Sequence, residues 1–250
     1  MNLINIDNVI SSFNNYKNDP FDHCIIDNFL VNPDIIEDEF LDYNSKHWVE
    51  YNNIVQNKKV NCDWYLFPKN TYQLFAYLNS PTFVDQLSNM VGCKLYSDPG
   101  LQSGGWHMHG ANGVLNPHLD YSIHPKLALQ RKLNLIIYLS KNLKEEHGGH
   151  FGLWAGTDYP DALVKEITPK FNRAIIFDTT QNSWHGLSRE CVVPDGIYRK
   201  SLAIYYLTDL LETVDNRSRA LFSLLDNQEE RISEINSCPH LITDKKTRNI

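Results

Sequence analysis

The sequence predicts a mainly β fold, a double-stranded β-helix (jelly roll) with flanking N-terminal helices and a short C-terminal helical extension. From about Cys93 to Thr208, short apolar runs follow one another closely and are separated by Gly, Pro, Asn and Asp, the pattern of a sandwich or closed barrel. On both sides of this segment, apolar residues recur at helical spacing. With 250 residues, of which 42% are hydrophobic, the chain is expected to form one domain over residues 1–250.

The N-terminal part predicts a strand and two helices. Residues 21–30, FDHCIIDNFL, have the β-branched and apolar character of a strand. The segment NPDIIEDEFLDY at 32–43 starts with Asn, Pro and acidic residues, which favours an amphipathic helix. A second helix is predicted over SPTFVDQLSNMVG, 80–92, where a helical period ends at Gly. Residues 48–67 are too mixed to predict an element.

The central and C-terminal parts differ in pattern. The core β-helix is expected over about 93–208, where strands are predicted in KLYSD, GGWHMHG, NPHLDYS, KLNLIIYLS, GHFGLW, RAIIFD, SWHGL and YRKSLAIYYL. Residues 209–250 form the predicted C-terminal helical extension, because Leu210 to about Asn236 recovers a weak helical period. Its last residues, CPHLITDKKTRNI, predict a loose end.

Composition narrows the partners and the compartment. The net charge of −7 argues against a broad surface for nucleic acid or anionic membrane, which needs an excess of Lys and Arg. Five scattered cysteines lack the close pairs of a zinc site and the density of a disulfide scaffold, so they are interpreted as reduced thiols. The first twenty residues contain no apolar run of the length of a signal peptide or membrane span. A cytoplasmic protein without a membrane partner is expected.

A metal site is predicted from two separated segments. In NPHLDYS, alternation along a strand places His118 and Asp120 on one face and turns Leu119 away. His185 in SWHGL follows the apolar strand Ala174–Phe177, and a barrel can bring these strands beside the first. Two His and one carboxylate on one side of an ion are the facial triad of non-haem Fe(II) oxygenases. His-x-Asp alone is a weak signal, so the prediction depends on the downstream residues.

An anion site is predicted downstream of the metal residues. Arg199 opens the strand YRKSLAIYYL and shares a face with Ser201. A guanidinium at that position is suited to bidentate binding of the far end of a dicarboxylate.

Around these residues the sequence resembles the prolyl-4-hydroxylase-like branch of the Fe(II)- and 2-oxoglutarate-dependent oxygenases. The resemblance covers about Trp106 to Thr208, with a fainter similarity at FDHCIIDNFL. Five motifs occur in the family's order: NPHLDYS, RKLNLIIYLS, HGGHFGLW, FNRAIIFD with SWHGL, and YRKSLAIYY. The departure is His150, directly after Gly148 and Gly149, where an apolar residue is common.

The resemblance implies Fe(II), 2-oxoglutarate and O2 as cofactor and co-substrates, with His118, Asp120 and His185 as metal ligands. It implies that Tyr138 binds the same carboxylate end of 2-oxoglutarate as Arg199. The implied reaction is hydroxylation of a C–H bond, in a peptidyl residue such as proline or in a small metabolite, with release of succinate and CO2. The carboxylate at position 120 favours oxygen insertion over halogenation, since a halide would need that coordination position.

Further residues are weighed against simpler roles. His107 and His109 share a strand face, but no carboxylate follows at matching spacing, so His109 is placed at the substrate mouth and not at the metal. Trp184 is either barrel packing or pocket wall, and His150 is a third substrate candidate. Asn134 shares a face with Tyr138, so it either reaches the co-substrate or makes an ordinary strand hydrogen bond. Arg131 and Lys132 are interpreted as a solvated strand start.

Two alternative functions stay open. A cupin-like metal-dependent isomerase or hydrolase would use the three metal ligands without needing Arg199 and Tyr138. A catalytically silent binding or sensor module would keep the fold, although it has no physical need for converging metal ligands. The sequence does not identify the substrate or the oligomeric state.

Overall fold

The computed structural model describes residues 3–238 and 242–243, and within these ranges the chain is built from strands with a few short helices. The helices are α1 (Ile6–Phe13), α2 (Pro33–Asp38), α3 (Lys69–Leu78), α4 (Pro81–Val91) and α5 (Ile232–Ser237), with 3-10 helices at Trp64–Leu66, Glu145–His147 and Asp226–Gln228. The strands are β1 (His23–Ile26), β2 (Val49–Asn53), β3 (Gln56–Asn61), β4 (Tyr96–Ser97), β5 (Gly105–His109), β6 (Val114–Leu115), β7 (His118–Leu119), β8 (Gln130–Tyr138), β9 (Phe151–Ala155), β10 (Ala162–Ile167), β11 (Ala174–Asp178), β12 (Trp184–Leu187), β13 (Arg199–Thr208), β14 (Leu221–Ser223) and β15 (Ile242–Thr243).

The strands form two sheets. The major sheet has the order β1-β11-β8-β13-β5-β3-β2, and the minor sheet has the order β10-β9-β12-β7-β14-β15. Neighbours along both sheets are antiparallel, except for the parallel pair β14 and β15. Residues of both sheets line one shared cavity. This is the predicted jelly roll.

Alternation along β8 shows how the strands divide the interior. Leu133, Leu135 and Ile137 point outward into the main apolar core, which also contains buried residues of α1 to α4. Asn134 and Ile136, between them in sequence, line the cavity between the sheets. The helices therefore cover the outer face of the major sheet and leave its inner face for the cavity.

The helix predicted over 80–92 has the caps that its sequence indicates. The Ser80 hydroxyl accepts a hydrogen bond from the backbone N–H of Phe83, and Pro81 occupies the first turn. Gly92 ends the helix in the left-handed conformation, at φ 70°. The predicted strand at 21–30 and helix at 32–43 are also present, as β1 and α2.

Other segments differ from the predictions. Residues 48–67, left unassigned, contain the hairpin of β2 and β3, and α1 and α3 were not predicted. The C-terminal extension contains the short helix α5, but Leu221–Ser223 is the strand β14 and pairs with β7. A weak helical period did not reveal this strand because three residues are too few to show alternation. Most of the predicted loose end lies outside the described residues.

Two other findings concern the whole chain. None of the helices in the described ranges has the length and apolar character of a membrane span. All five cysteines, Cys24, Cys62, Cys93, Cys191 and Cys238, are free thiols.

Candidate active site

The candidate site is a cavity of about 260 Å³ between the two sheets. The major sheet contributes polar side chains from β3, β5, β8 and β13, and the minor sheet contributes residues of β9, β12 and β14. The polar and charged residues of the lining are Tyr51, Gln56, Lys58, Ser103, His107, His109, His118, Asp120, Tyr121, Arg131, Asn134, His185, Arg199, Ser201 and Tyr205.

Three buried residues of the lining converge on one point. His118 on β7 pairs in register with His185 on β12, so both imidazoles point from adjacent strands to the same side. Asp120 follows β7 directly; its carboxylate oxygens lie 3.7 Å from His118 Nε2 and 3.8 Å from His185 Nε2. One ligand atom from each of the three lies within 4.8 Å of the others, a spacing that can hold a metal ion.

Both imidazoles are held in the tautomer that binds a metal through Nε2. His118 Nδ1 donates to the carbonyl of Asn116 at 2.9 Å, and His185 Nδ1 donates to the carbonyl of Ser183 at 2.7 Å. Burial lowers the pKa of His118 to about 3 and also lowers the pKa of His185. Both rings are therefore neutral at physiological pH, and each directs a lone pair on Nε2 toward the carboxylate.

Cationic and hydroxyl groups surround the carboxylate of Asp120. Burial alone would raise its pKa, but the electrostatic effects of the neighbouring His185 and Arg131 side chains act against burial and lower it. Arg131 Nη1 lies 3.8 Å from Asp120 Oδ1, and the Tyr205 hydroxyl is 3.5 Å from the same oxygen. Asp120 Oδ2 is buried without a hydrogen-bond partner among the described residues. The second oxygen is thus open to a cation.

The two metal-bearing strands approach closely because of Gly186. A Cβ at this position would lie 2.5 Å from the carbonyl oxygen of Leu115 and 2.6 Å from that of Asn116. A side chain would push β12 away from the segment that leads into β7 and would separate the two imidazoles.

A second polar region lies around Arg199, the first residue of β13. Its Nε donates to the carbonyl of Gly149 at 2.7 Å, and its Cζ lies 5.1 Å from the Tyr138 ring centre. Gly149 has φ +69°, and a Cβ there would lie 2.7 Å from Arg199 Cδ. The absence of a side chain at Gly149 thus leaves space for the side chain of Arg199, a residue that is 3% exposed.

The Tyr138 hydroxyl and Asn134 Oδ1, both on β8, are buried without a hydrogen-bond partner in the described chain. The Tyr138 hydroxyl belongs to the ring that lies beside Arg199, and Asn134 Oδ1 lies further along the strand, where Asn134 pairs with Tyr205. Burial raises the pKa of Tyr138 to about 12, although Arg199 acts against this, so the hydroxyl remains a donor. A buried hydroxyl donor without a partner beside a guanidinium fits a ligand carboxylate, because buried polar groups are normally hydrogen-bonded.

The comparison with protein families agrees with this geometry. Residues 104–207 match the family model of the 2OG-Fe(II) oxygenase superfamily. The matched segment contains the His118–Asp120–His185 cluster, and proteins of this superfamily use Fe(II), 2-oxoglutarate and O2, the cofactor and co-substrates that were predicted for this chain. No curated protein gives a significant match to the chain.

Solved structures of prolyl hydroxylases share the fold of this chain. A prolyl hydroxylase from Trichoplax adhaerens, in complex with a peptide fragment of the hypoxia inducible factor oxygen degradation domain, is 18% identical, with a TM-score of 0.54 over 80% of this chain and 88% of that one. A Pseudomonas putida prolyl-4-hydroxylase is 13% identical, with a TM-score of 0.54 over 81% of this chain and 98% of that one. A prolyl 4-hydroxylase from Phytophthora capsici is 17% identical, with a TM-score of 0.50 over 86% of this chain and 68% of that one. At these identities the likeness concerns the fold.

Most predicted site residues line the cavity, and three do not: Tyr138, whose ring lies beside Arg199, His150 and Trp184. Ser201, Asn134 and His109 line the cavity, as predicted. His150 is buried, with Nε2 3.7 Å from Glu145, and does not line the cavity. Trp184 is buried with its indole N–H directed to the carbonyl of Thr157, because it alternates with His185 on β12. Both are therefore buried outside the cavity lining, and their role as substrate residues stays a prediction.

The interpretation of Arg131 as a solvated strand start was wrong. Its side chain is 1% exposed and lies between the rings of Tyr121 and Tyr205, with Cζ 3.4 and 3.5 Å from the ring centres. The pairing of β8 with β13 shifts between Tyr206 and Leu207, and this bulge turns Arg131 inward. A simple alternation from Leu133 would have turned it outward.

Two further residues of the candidate site were not predicted from the sequence. Lys58 on β3 lines the cavity, but it lies in the unassigned segment 48–67. Phe222 on β14 stacks on the His118 ring, with ring centres 4.8 Å apart and planes at 22°. The C-terminal extension therefore contributes a wall of the metal site, and only the tertiary pairing of β14 with β7 shows this.

Proposed function

We propose that this protein is an Fe(II)- and 2-oxoglutarate-dependent hydroxylase that acts on a C–H bond of a peptidyl residue or a small metabolite. The observation that carries the proposal is the joint arrangement of two regions in one cavity. A triad of His118, Asp120 and His185 stands at one end of it, and Arg199 stands beside the partnerless hydroxyl of Tyr138.

Each residue has a role that follows from its position. His118, Asp120 and His185 would hold the iron, while Arg199 and Tyr138 would bind the far carboxylate of 2-oxoglutarate through charge-assisted hydrogen bonds. When bound, the iron with 2-oxoglutarate and O2 supplies the oxidising chemistry, with succinate and CO2 as co-products. The protein orients the substrate and excludes water, since the ligand side chains are almost completely buried. With iron bound, Asp120 would occupy a coordination position that a halide would need, which favours hydroxylation over halogenation.

The two alternative functions are less well supported by the cavity. A cupin-like isomerase or hydrolase needs the metal ligands, but it gives no reason for a buried Arg199 beside an unsatisfied Tyr138 hydroxyl. A silent module gives no reason for two imidazoles held in the metal-binding tautomer. A cytoplasmic location and the lack of a nucleic-acid partner remain predictions from the sequence.

The test needs no knowledge of the substrate. Under anaerobic conditions, purified protein should develop a visible metal-to-ligand absorption band when both Fe(II) and 2-oxoglutarate are added, and neither alone should produce it. In air, 2-oxoglutarate decarboxylation should require Fe(II). His118→Ala, Asp120→Ala and His185→Ala should each abolish both signals, because the loss of one ligand of three spoils the metal geometry.

Each alternative function predicts a result that differs from that expected for the hydroxylase. A metal-dependent activity without any 2-oxoglutarate requirement would support the cupin-like alternative, and binding of Fe(II) and 2-oxoglutarate without turnover of any C–H substrate would support the silent module. Once a substrate is found, its product should be one oxygen heavier, with the label taken from labelled O2, even in chloride or bromide buffer. A halogenated product would exclude the hydroxylase assignment.

A further inference from the structure

Lys58 is a cation in the cavity without a partner in the described chain. It projects from β3 into the lining, and its Nζ makes no ion pair or hydrogen bond with any described residue. Its nearest named contact is the ring of Tyr51, with Nζ 5.7 Å from the ring centre, at the outer limit of a cation–π interaction. Burial lowers the pKa of Lys58 to about 8, against the opposing effect of Asp120, so the ammonium keeps its charge at neutral pH.

The position of Lys58 separates it from the co-substrate end of the cavity. Lys59 pairs with Met108 on β5, so Lys58 stands level with His109, and His109 in turn pairs with Arg199 on β13. The three side chains therefore form a row across three neighbouring strands, with Lys58 at one end and Arg199 at the other. Since strands lie about 4.8 Å apart, the two cations are about 10 Å apart at the backbone.

The charges of the cavity do not balance without a further anion. Its lining contains three cations, Lys58, Arg131 and Arg199, and one carboxylate, that of Asp120. Fe(II) and the 2-oxoglutarate dianion together add no net charge. Arg131 is already held by two tyrosine rings and lies beside Asp120, and Arg199 faces the co-substrate region. Arg131 Nε and Nη1 also lack hydrogen bonds within the described part of the chain, but the Arg131 guanidinium faces the Asp120 carboxylate, so Lys58 is the lining cation left for another ligand.

His109 independently indicates a polar ligand next to Lys58. It is 2% exposed and lines the cavity, yet neither ring nitrogen has a hydrogen-bond partner among the described residues. Burial, together with the charges of Arg199 and Lys58, holds its pKa well below the usual range, so the ring is neutral and carries one N–H donor. A buried donor of this kind normally has an acceptor.

We propose that Lys58 binds a carboxylate of the substrate, with His109 as a second donor, so that the hydroxylated substrate is a small carboxylic acid. The inference rests on the proposed function and specifies its substrate class. Phosphate fits less well, because no residue of the lining lies at a helix N-terminus, a common phosphate-binding element. The cavity of about 260 Å³ must also hold 2-oxoglutarate, and pockets for drug-sized ligands are about 300–1,000 Å³, so the remaining space suits a small molecule.

The test compares matched acids and amides on matched variants. Anaerobic protein loaded with Fe(II) and 2-oxoglutarate is titrated with short amino, hydroxy and keto acids, each paired with its carboxamide. Binding is followed by thermal stabilisation and by perturbation of the absorption band. The variants are Lys58→Met, which removes the charge at similar volume, Lys58→Arg, which keeps it, and Lys59→Met as the control. Lys59 lies on the same strand, but its Nζ binds Glu50 and the Tyr43 carbonyl outside the cavity.

The expected result is that at least one acid binds and that its amide binds at least about tenfold more weakly. Lys58→Met should weaken acid binding by roughly ten- to a hundred-fold, the range for a charge-assisted hydrogen bond, and Lys58→Arg should restore part of the loss. Lys59→Met should change it by less than about twofold, because the Lys59 ammonium lies outside the cavity and binds Glu50 and the Tyr43 carbonyl. The 2-oxoglutarate requirement should stay unchanged in Lys58→Met.

Several results would overturn the inference while leaving the proposed function intact. These are equal binding of acid and amide, acid binding that survives Lys58→Met, or no binding of any acid to protein whose band forms normally. A large rise in the 2-oxoglutarate requirement of Lys58→Met would assign this lysine to the co-substrate. If wild-type protein forms no band at all, the proposed function fails, and thermal stabilisation by the acids still decides the role of Lys58.

Discussion

Arg199 allows a prediction at the scale of a single residue. Arg199→Ala should raise the 2-oxoglutarate concentration required by roughly ten- to a hundred-fold, because a charge-assisted hydrogen bond contributes about 1.5–3 kcal/mol. Fe(II) binding should change little, since the guanidinium is not a metal ligand. The measurement is the 2-oxoglutarate dependence of the absorption band at saturating Fe(II).

The control for this change is Arg189→Ala. Arg189 lies two residues after β12. Its side chain is half exposed and forms an ion pair with Glu166. Its removal should leave the 2-oxoglutarate requirement as in wild type. Arg199→Lys keeps the positive charge but removes the planar guanidinium. It therefore tests the contribution of bidentate binding separately, because an ammonium cannot bind a carboxylate in bidentate fashion. An unchanged requirement in Arg199→Ala would move the anchor to another cation of the cavity.

The metal ligands and Arg199 could be predicted from the sequence, whereas Lys58 and Arg131 could not. His118 and Asp120 lie two apart on an extended segment, and this spacing alone fixes a shared face. Arg131 depends on a bulge between β8 and β13, which no local pattern shows. The inward orientation of the Lys58 side chain follows from the pairing of β3 with β5. The segment around Lys58 is polar on both faces and has no apolar alternation that would predict which side chains point inward.

At the scale of elements, β14 makes the C-terminal extension part of the metal site. Phe222→Ala should weaken metal binding by roughly tenfold, the lower end of the range for residues that orient a metal ligand, because the His118 ring loses the surface against which it stacks. The dissociation constant for Mn(II) or Fe(II), measured anaerobically, checks this. Phe222→Leu should lose less, since it keeps apolar volume beside the ring.

The control in the same segment is Leu225→Ala. Leu225 is 36% exposed and follows β14, so its truncation should not change the metal affinity. If both variants bind metal as the wild type does, the stack of Phe222 on His118 has no part in holding the ligand. If both lose metal binding equally, the extension acts through its overall folding and not through this ring.

The strand elements differ in how well the sequence reveals them. Strands β8, β11 and β13 have five to ten residues rich in β-branched and apolar side chains, and they were predicted as runs in the right places. Strand β14, which was not predicted, has three residues, and β7, which was predicted within the longer run NPHLDYS, has two. Such strands exist because neighbouring strands supply their hydrogen bonds, so tertiary pairing and not local pattern determines them.

At the scale of the whole molecule, metal binding should be linked to folding stability. The three ligands come from β7, the residue after it and β12, which meet only in the folded chain, so an ion binds the native state and not the unfolded one. At a free Mn(II) concentration about a hundred times its dissociation constant, the linkage amounts to about 2.7 kcal/mol. For a chain of this size, 1 kcal/mol shifts the melting temperature by roughly 2–4 °C, so a rise of roughly 5–11 °C is expected.

Asp120→Ala should lose this rise in melting temperature. His47→Ala, which removes an exposed histidine outside the cavity, should keep it. Differential scanning calorimetry with and without Mn(II) checks this, and an equal rise in Asp120→Ala would place the stabilising ion elsewhere in the molecule.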